Sequence, residues 1–224
     1  MAPTDPDGRR SARKMRPTSL HGDWFGSEDA GSRASRLRGV ASDMVAQARA
    51  LAGEHLALLS SRWRHVEGVA ASACDIALRI DPGHACEIVA AAWLHDVGYA
   101  DDLGLTGFHP LDGARFAWDV GLPPLVVSLI AFHTGAEFEA RQRGLVAQLN
   151  EFSAPPREIL DIVTYSDVTT SPDGELVAAE KRIAEILHRY AESDPVHAAV
   201  AESAPALLAS VARVEARLVA SQPK

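Results

Sequence analysis

Six residues combine side-chain types and settings that can do chemistry: His65 in RWRHVEGVA, the adjacent pair His95-Asp96 in AAWLHDVGY, His109 in TGFHPLDGA, His133 in IAFHTGA and Asp167 in YSDVTTSPDG. Imidazole and carboxylate together are a donor set for divalent transition cations. His95-Asp96 ends an apolar helical segment just before a glycine-bearing turn, where the pair can face the floor of a cleft; a capping pair would carry the same sequence. His65, on an amphipathic segment, also fits an interior hydrogen-bonded imidazole. His109 before Pro110 can simply end a loop, and His133 ahead of Gly135 can cap a helix. Asp167 lies late in the apolar run ILDIVTYSDV, where an unpaired buried carboxylate is costly, so either a cation or a paired cap must compensate it.

The elements that must position these residues read as helices. Val45, Leu51, Leu56 and Leu59 lead into Trp63, Val66, Val69, Ala70, Ala73, Ile76, Ala77 and Ile80, whose spacing of three and four places His65 on a helix. Asp81-Pro82-Gly83 stops it, and a second helix is predicted over 85–95. After the turn-rich YADDLGLTGFHP, helices are predicted over 111–120, 125–132, 136–150, 159–168 and 175–190, with one or two more around Pro205. No strand alternation and no repeat interrupts this pattern. The expected fold is all-α, with seven to nine helices in one domain over 39–224 behind a flexible leader, 1–38, that makes at most a local contact at Trp24-Phe25.

Composition narrows the function classes. Of 224 residues, 47% are hydrophobic, 23% charged and 6% aromatic, which supports a packed core and excludes disorder of the whole chain. Cys74 and Cys86 form no CxxC pair and read as buried free thiols, so thiolate-held structural zinc is excluded. No long uncharged apolar run or secretory leader is seen, and a cytoplasmic location without membrane contact is expected. Net charge is −8, divided between a basic 1–38 and a body carrying fourteen Arg/Lys against twenty-five Asp/Glu. So acidic a body argues against a nucleic-acid polymer as partner, and RRSARKMR at 9–16 reads as a solvated basic run.

His65, the His95-Asp96 doublet and Asp167, in that order and all in helical settings, resemble the HD superfamily of metal-dependent phosphohydrolases over roughly residues 40–190. The resemblance implies an HD-type helical fold in which His65, His95, Asp96 and Asp167 hold one divalent metal. His109 and His133 match the additional histidines of the group that binds two metals, with Asp96 as the bridge. It further implies a metal-activated water attacking a phosphoester or phosphoanhydride of a small nucleotide-like molecule, with Asp96, His109 and His133 as catalytic residues and two ions of iron, manganese, cobalt, nickel or zinc per chain. The chain also looks like the bacterial group containing symmetric diadenosine-tetraphosphate hydrolases, but has Tyr99 where those commonly have lysine. It has Phe132-His133 where the cyclic-dinucleotide branch has two histidines. Around this centre Arg62 and Arg143 are candidates for phosphate contact, each also readable as a surface salt bridge. Asp101 and Asp102 could orient a metal histidine, and Tyr99 and Phe108 could flank a base. Trp93 reads as core packing, Asp112 as a helix cap, and TTSPDG at 169–174 as part of the pocket mouth. Oxygen-dependent di-iron chemistry and a catalytically silent metal-containing sensor share the same ligand types. Alanine-rich C-terminal helices suggest a homodimer.

Overall fold

The computed structural model describes residues 30–221, with side chains from 43 onward. Residues 1–29, including the Trp24-Phe25 contact and the basic run, lie outside the described residues. The helices are α1 (Ala30–Leu56), α2 (Ser60–Ile80), α3 (Ala85–Leu94), α4 (His109–Asp119), α5 (Pro124–Phe132), α6 (Ala136–Arg143), α7 (Val146–Leu149), α8 (Arg157–Val168), α9 (Ala179–Arg189) and α10 (Pro195–Ala220). Two 3-10 turns, Val97–Tyr99 and His133–Gly135, follow α3 and α5. Counting helices of two turns or more, the described residues contain nine, with α7 a single additional turn. The fold is all-α.

Helix α3 explains the arrangement. Its sequence, ACEIVAAAWL, is apolar on nearly every side, so it must be enclosed, and Ala90, Ala91 and Ala92 allow neighbours to approach closely. It packs against α1, α2, α5 and α8, which places its C-terminal end, and the His95-Asp96 pair beyond it, at the centre of the molecule. A smaller apolar cluster of Val168, Ala179, Ile183 and Leu207 joins α8, α9 and α10. No described helix is long and apolar enough to cross a membrane.

Four expectations about element boundaries need correction. Helix α1 begins at Ala30, inside the expected leader; 30–38 lacks proline and is rich in alanine and arginine, which favour helix. The helix expected over 136–150 is broken at Gly144, whose φ of 70° is left-handed and ends α6. Residues 175–178 are not helical, because Ser171 N–H donates to Glu175 O and Val177 N–H to Thr169 O, both at 2.8 Å, in a tight hairpin. Pro205 does not divide the C-terminal segment; it sits on the exposed side of one continuous α10, where the carbonyl it frees can be hydrated. Cys74 and Cys86 are free, as expected, but half-buried.

Candidate metal centre

Five elements deliver the six residues to one place. His65 comes from the middle of α2, His95 and Asp96 from the end of α3, His109 from the first residue of α4, His133 from the end of α5, and Asp167 from the last turn of α8. The sequences WLHDVG and AFHTGA use the same local device. Each histidine directly follows the last helical residue, and its Nδ1–H turns back to donate to a carbonyl of the last turn: His95 to Ala92 O and His133 to Ile130 O, both at 2.7 Å. Those carbonyls lack helical partners, so each ring caps its helix through Nδ1 and points Nε2 away from it. His65 is fixed likewise by Nδ1–H donation to Ser171 O at 3.1 Å.

With the Nδ1 atoms engaged, the Nε2 atoms converge. His65 Nε2 is 3.0 Å from Asp167 Oδ1, and His95 Nε2 is 3.6 Å from Asp96 Oδ2. His109 Nε2 lies 3.5 Å from Asp96 Oδ1 and 3.2 Å from His133 Nε2. His95 Nε2 is fully buried and has no hydrogen-bond partner. Two sets of donors result, His65-His95-Asp167 and Asp96-His109-His133, each with ligand atoms within 4.8 Å of one another. Spacing of that kind, together with an orphaned imidazole nitrogen, suits divalent cations, and the two oxygens of Asp96 face different histidines.

The electrostatics have identifiable causes. Burial alone would raise the Asp96 pKa, but Arg62 and the surrounding imidazoles hold it well below the ordinary carboxylate range. Asp167 is also opposed by burial and is lowered by the hydrogen bond with His65; its other oxygen accepts from Thr134 Oγ1 at 2.5 Å. His65 is raised, the Asp167 contact outweighing burial. Burial lowers His109 strongly and His133 as well, keeping both neutral with lone pairs available.

The outer residues divide. Arg62 is drawn into the centre, its Nη1 donating to Asp96 Oδ2 at 2.6 Å and its guanidinium lying 3.8 Å from the Tyr99 ring centroid. Tyr99 also stacks on His109 at 3.9 Å, so protein groups already cover the surface expected to meet a base. Phe108 is wholly buried in the core and cannot stack on a ligand. Asp101 is exposed and Asp102 pairs with His55 at 3.0 Å; backbone carbonyls, not these acids, orient the histidines. Arg143 is engaged with Glu139 at 2.6 Å. Asp112 does not cap its own helix but accepts from Thr106 N–H and Oγ1 at 3.0 and 2.9 Å, securing the preceding turn. Trp93 is partly buried against the core beside Trp63.

The TTSPDG segment is a clamp on α2. A Cβ at Gly68 would lie 2.5 Å from Gly174 O, and one at Gly174, where φ is 81°, would lie 2.5 Å from Arg64 O. This close approach, reinforced by Arg64 and Asp173 at 2.8 Å, brings Ser171 O to His65. Sequence reasoning missed Thr134, whose left-handed φ of 46° no motif announces, and also Arg182, Arg189 and Tyr190. The last three line the same cavity of about 100 Å³ as His65, Asp96, His109, His133 and Asp167, yet arginines at three- and four-residue spacing from glutamate read as solvated helix surface.

An HD-domain family model matches residues 62–171. No curated protein and no solved structure matches the chain. The matched span begins at Arg62, contains all six converging residues and ends at Ser171, whose carbonyl holds His65. Residues 62–171 of this chain are therefore an HD domain, the module of a superfamily of metal-dependent hydrolases.

Proposed function

We propose that the chain is a metal-dependent phosphohydrolase that binds two divalent transition cations and cleaves a phosphoester or phosphoanhydride of a small phosphorylated molecule. The observation carrying this reading is the pair of buried donor triads, with His95 Nε2 partnerless between Asp96 and the other imidazoles. His65, His95 and Asp167 would hold one cation and Asp96, His109 and His133 the other, the two oxygens of Asp96 facing different histidines. When bound, such cations make a water more acidic and neutralise phosphoryl oxygens during displacement.

The protein's residues do the rest. Asp96, kept ionised by Arg62 and the imidazoles, supplies negative charge without needing deprotonation. Neutral His109 and His133 offer lone pairs, while Thr134 fixes the Asp167 oxygen that faces away from His65. Arg62 is close enough to share its guanidinium between Asp96 and a substrate phosphate. Arg62, Arg182 and Tyr190 wall the cavity and limit water.

The test is cation analysis after anaerobic purification, followed by assay of phosphoesters and polyphosphates with Mn²⁺, Fe²⁺ or Co²⁺. Asp96→Ala is expected to lower cation content and reduce turnover by more than about 100-fold. Hydrolysis that persists unchanged in Asp96→Ala would overturn the assignment.

A further inference from the structure

The cavity has a second wall outside the family-matched span. Helix α9 packs on α8 and α10, with Ala179 and Ile183 buried in the Val168-Leu207 cluster. That anchoring holds Arg182 against the cavity, where it is only 7% exposed. A guanidinium so enclosed should have every N–H satisfied, but Arg182 Nε has no partner. Its Nη1 donates to Glu185 Oε2. Arg189, about two turns beyond Arg182 and half-exposed at the same cavity, donates to Glu185 Oε1 through Nε at 2.9 Å and through Nη2. Two guanidinium groups thus share one carboxylate, leaving an excess positive charge. The carboxylates on the same lining do not offset it: Asp96 is paired with Arg62, Asp167 with His65 and Glu139 with Arg143.

We propose that Arg182 and Arg189 form an anion subsite for a phosphate group other than the one attacked, so the substrate carries at least two phosphates. This inference rests on the phosphohydrolase reading and adds substrate class to it. The scissile phosphate would lie near Arg62 and the two donor triads, and the second would extend to α9, where it accepts from the guanidinium groups of Arg182 and Arg189. Glu185 holds the two side chains in place until then. A phosphomonoester would leave this subsite empty; a diphosphate, triphosphate or bisphosphate would fill it.

The experiment measures calorimetric binding of methylenediphosphonate and methylphosphonate to the full, Mn²⁺-loaded chain. The wild type should bind the diphosphonate more tightly by about tenfold or more, the scale of a charge-assisted contact. Arg182→Gln and Arg189→Gln should shrink that ratio toward unity without weakening methylphosphonate, and Glu185→Gln should widen it. Arg189 and Glu185 are both substantially exposed, so these two variants decide the matter if the Arg182 substitution prevents folding. A ratio unchanged across the variants would overturn the subsite and reduce Arg182-Glu185-Arg189 to a helix brace. Failure of the wild type to bind either phosphonate would instead overturn the phosphohydrolase reading, and this inference with it.

Discussion

His65 sets the proton balance of the centre. Without a cation its Nδ1 faces a carbonyl at 3.1 Å and its Nε2 a carboxylate at 3.0 Å, two acceptors that together favour the doubly protonated ring. Its folded pKa is accordingly raised, so the pairing contributes stability fully below the unfolded value of about 6.5 and loses it as pH rises through the folded value. His109 and His133 behave oppositely: their folded values are depressed, so their contribution fades as pH falls below about 6.5, where the unfolded chain takes up protons first. A cation at His65 Nε2 must displace a proton. Cation binding is therefore expected to release a proton and to strengthen with rising pH until the folded value of His65 is passed. Calorimetry in buffers of different protonation enthalpy checks this; a buffer-independent heat would show that His65 was already neutral.

At the scale of elements, the backbone contacts that aim the ligands allow no side chain. A Cβ at Gly98 would stand 2.2 Å from His109 O, in the first turn of α4. Gly98→Ala is expected to cost about 1–3 kcal/mol of stability by denaturant titration and to weaken cation binding through His109. Gly174→Ala, which adds a Cβ at a left-handed φ against Arg64 O, is expected to act similarly through Ser171 and His65, at a cost of about 1–3 kcal/mol. Wild-type stability and cation affinity in either variant would show that these close approaches relax easily. The six converging residues were legible in the sequence because imidazoles and carboxylates interrupting apolar helices have few other uses. Their supports were not, since carbonyls of Ala92, Ile130 and Ser171 leave no residue-type signature. Phe108 and Tyr99 were misread because an aromatic near a site looks the same whether it faces ligand or core. Arg182 escaped notice because its spacing from Glu185 reads as solvated surface, whereas α9 packs between α8 and α10.

Across the whole molecule, α10 closes the bundle over α8. Arg213 Nε and Nη2 each donate to Asp161 at 2.7 Å, joined by Ser210 Oγ at the same distance, and Asp161 is only 4% exposed. Arg213→Ala leaves that carboxylate with one remaining partner and is expected to lower unfolding free energy by about 1–3 kcal/mol, the arginine's own partial exposure limiting the loss. A variant that melts like the wild type would mean that apolar packing alone docks α10. The all-helical architecture followed from periodicity, whereas the hairpin at 169–177 did not, because its bonds are between backbone groups.

The two donor triads differ in how far apart their members lie along the chain. Asp96, His109 and His133 fall within one stretch running from α3 to the end of α5, but His65 and Asp167 stand 102 residues apart. The first triad can be completed while a chain is still emerging from the ribosome; the second exists only after α8 has docked against α2. On the two-cation reading proposed above, uptake is expected to be sequential, with one ion able to guide early assembly and the other registering that assembly is complete.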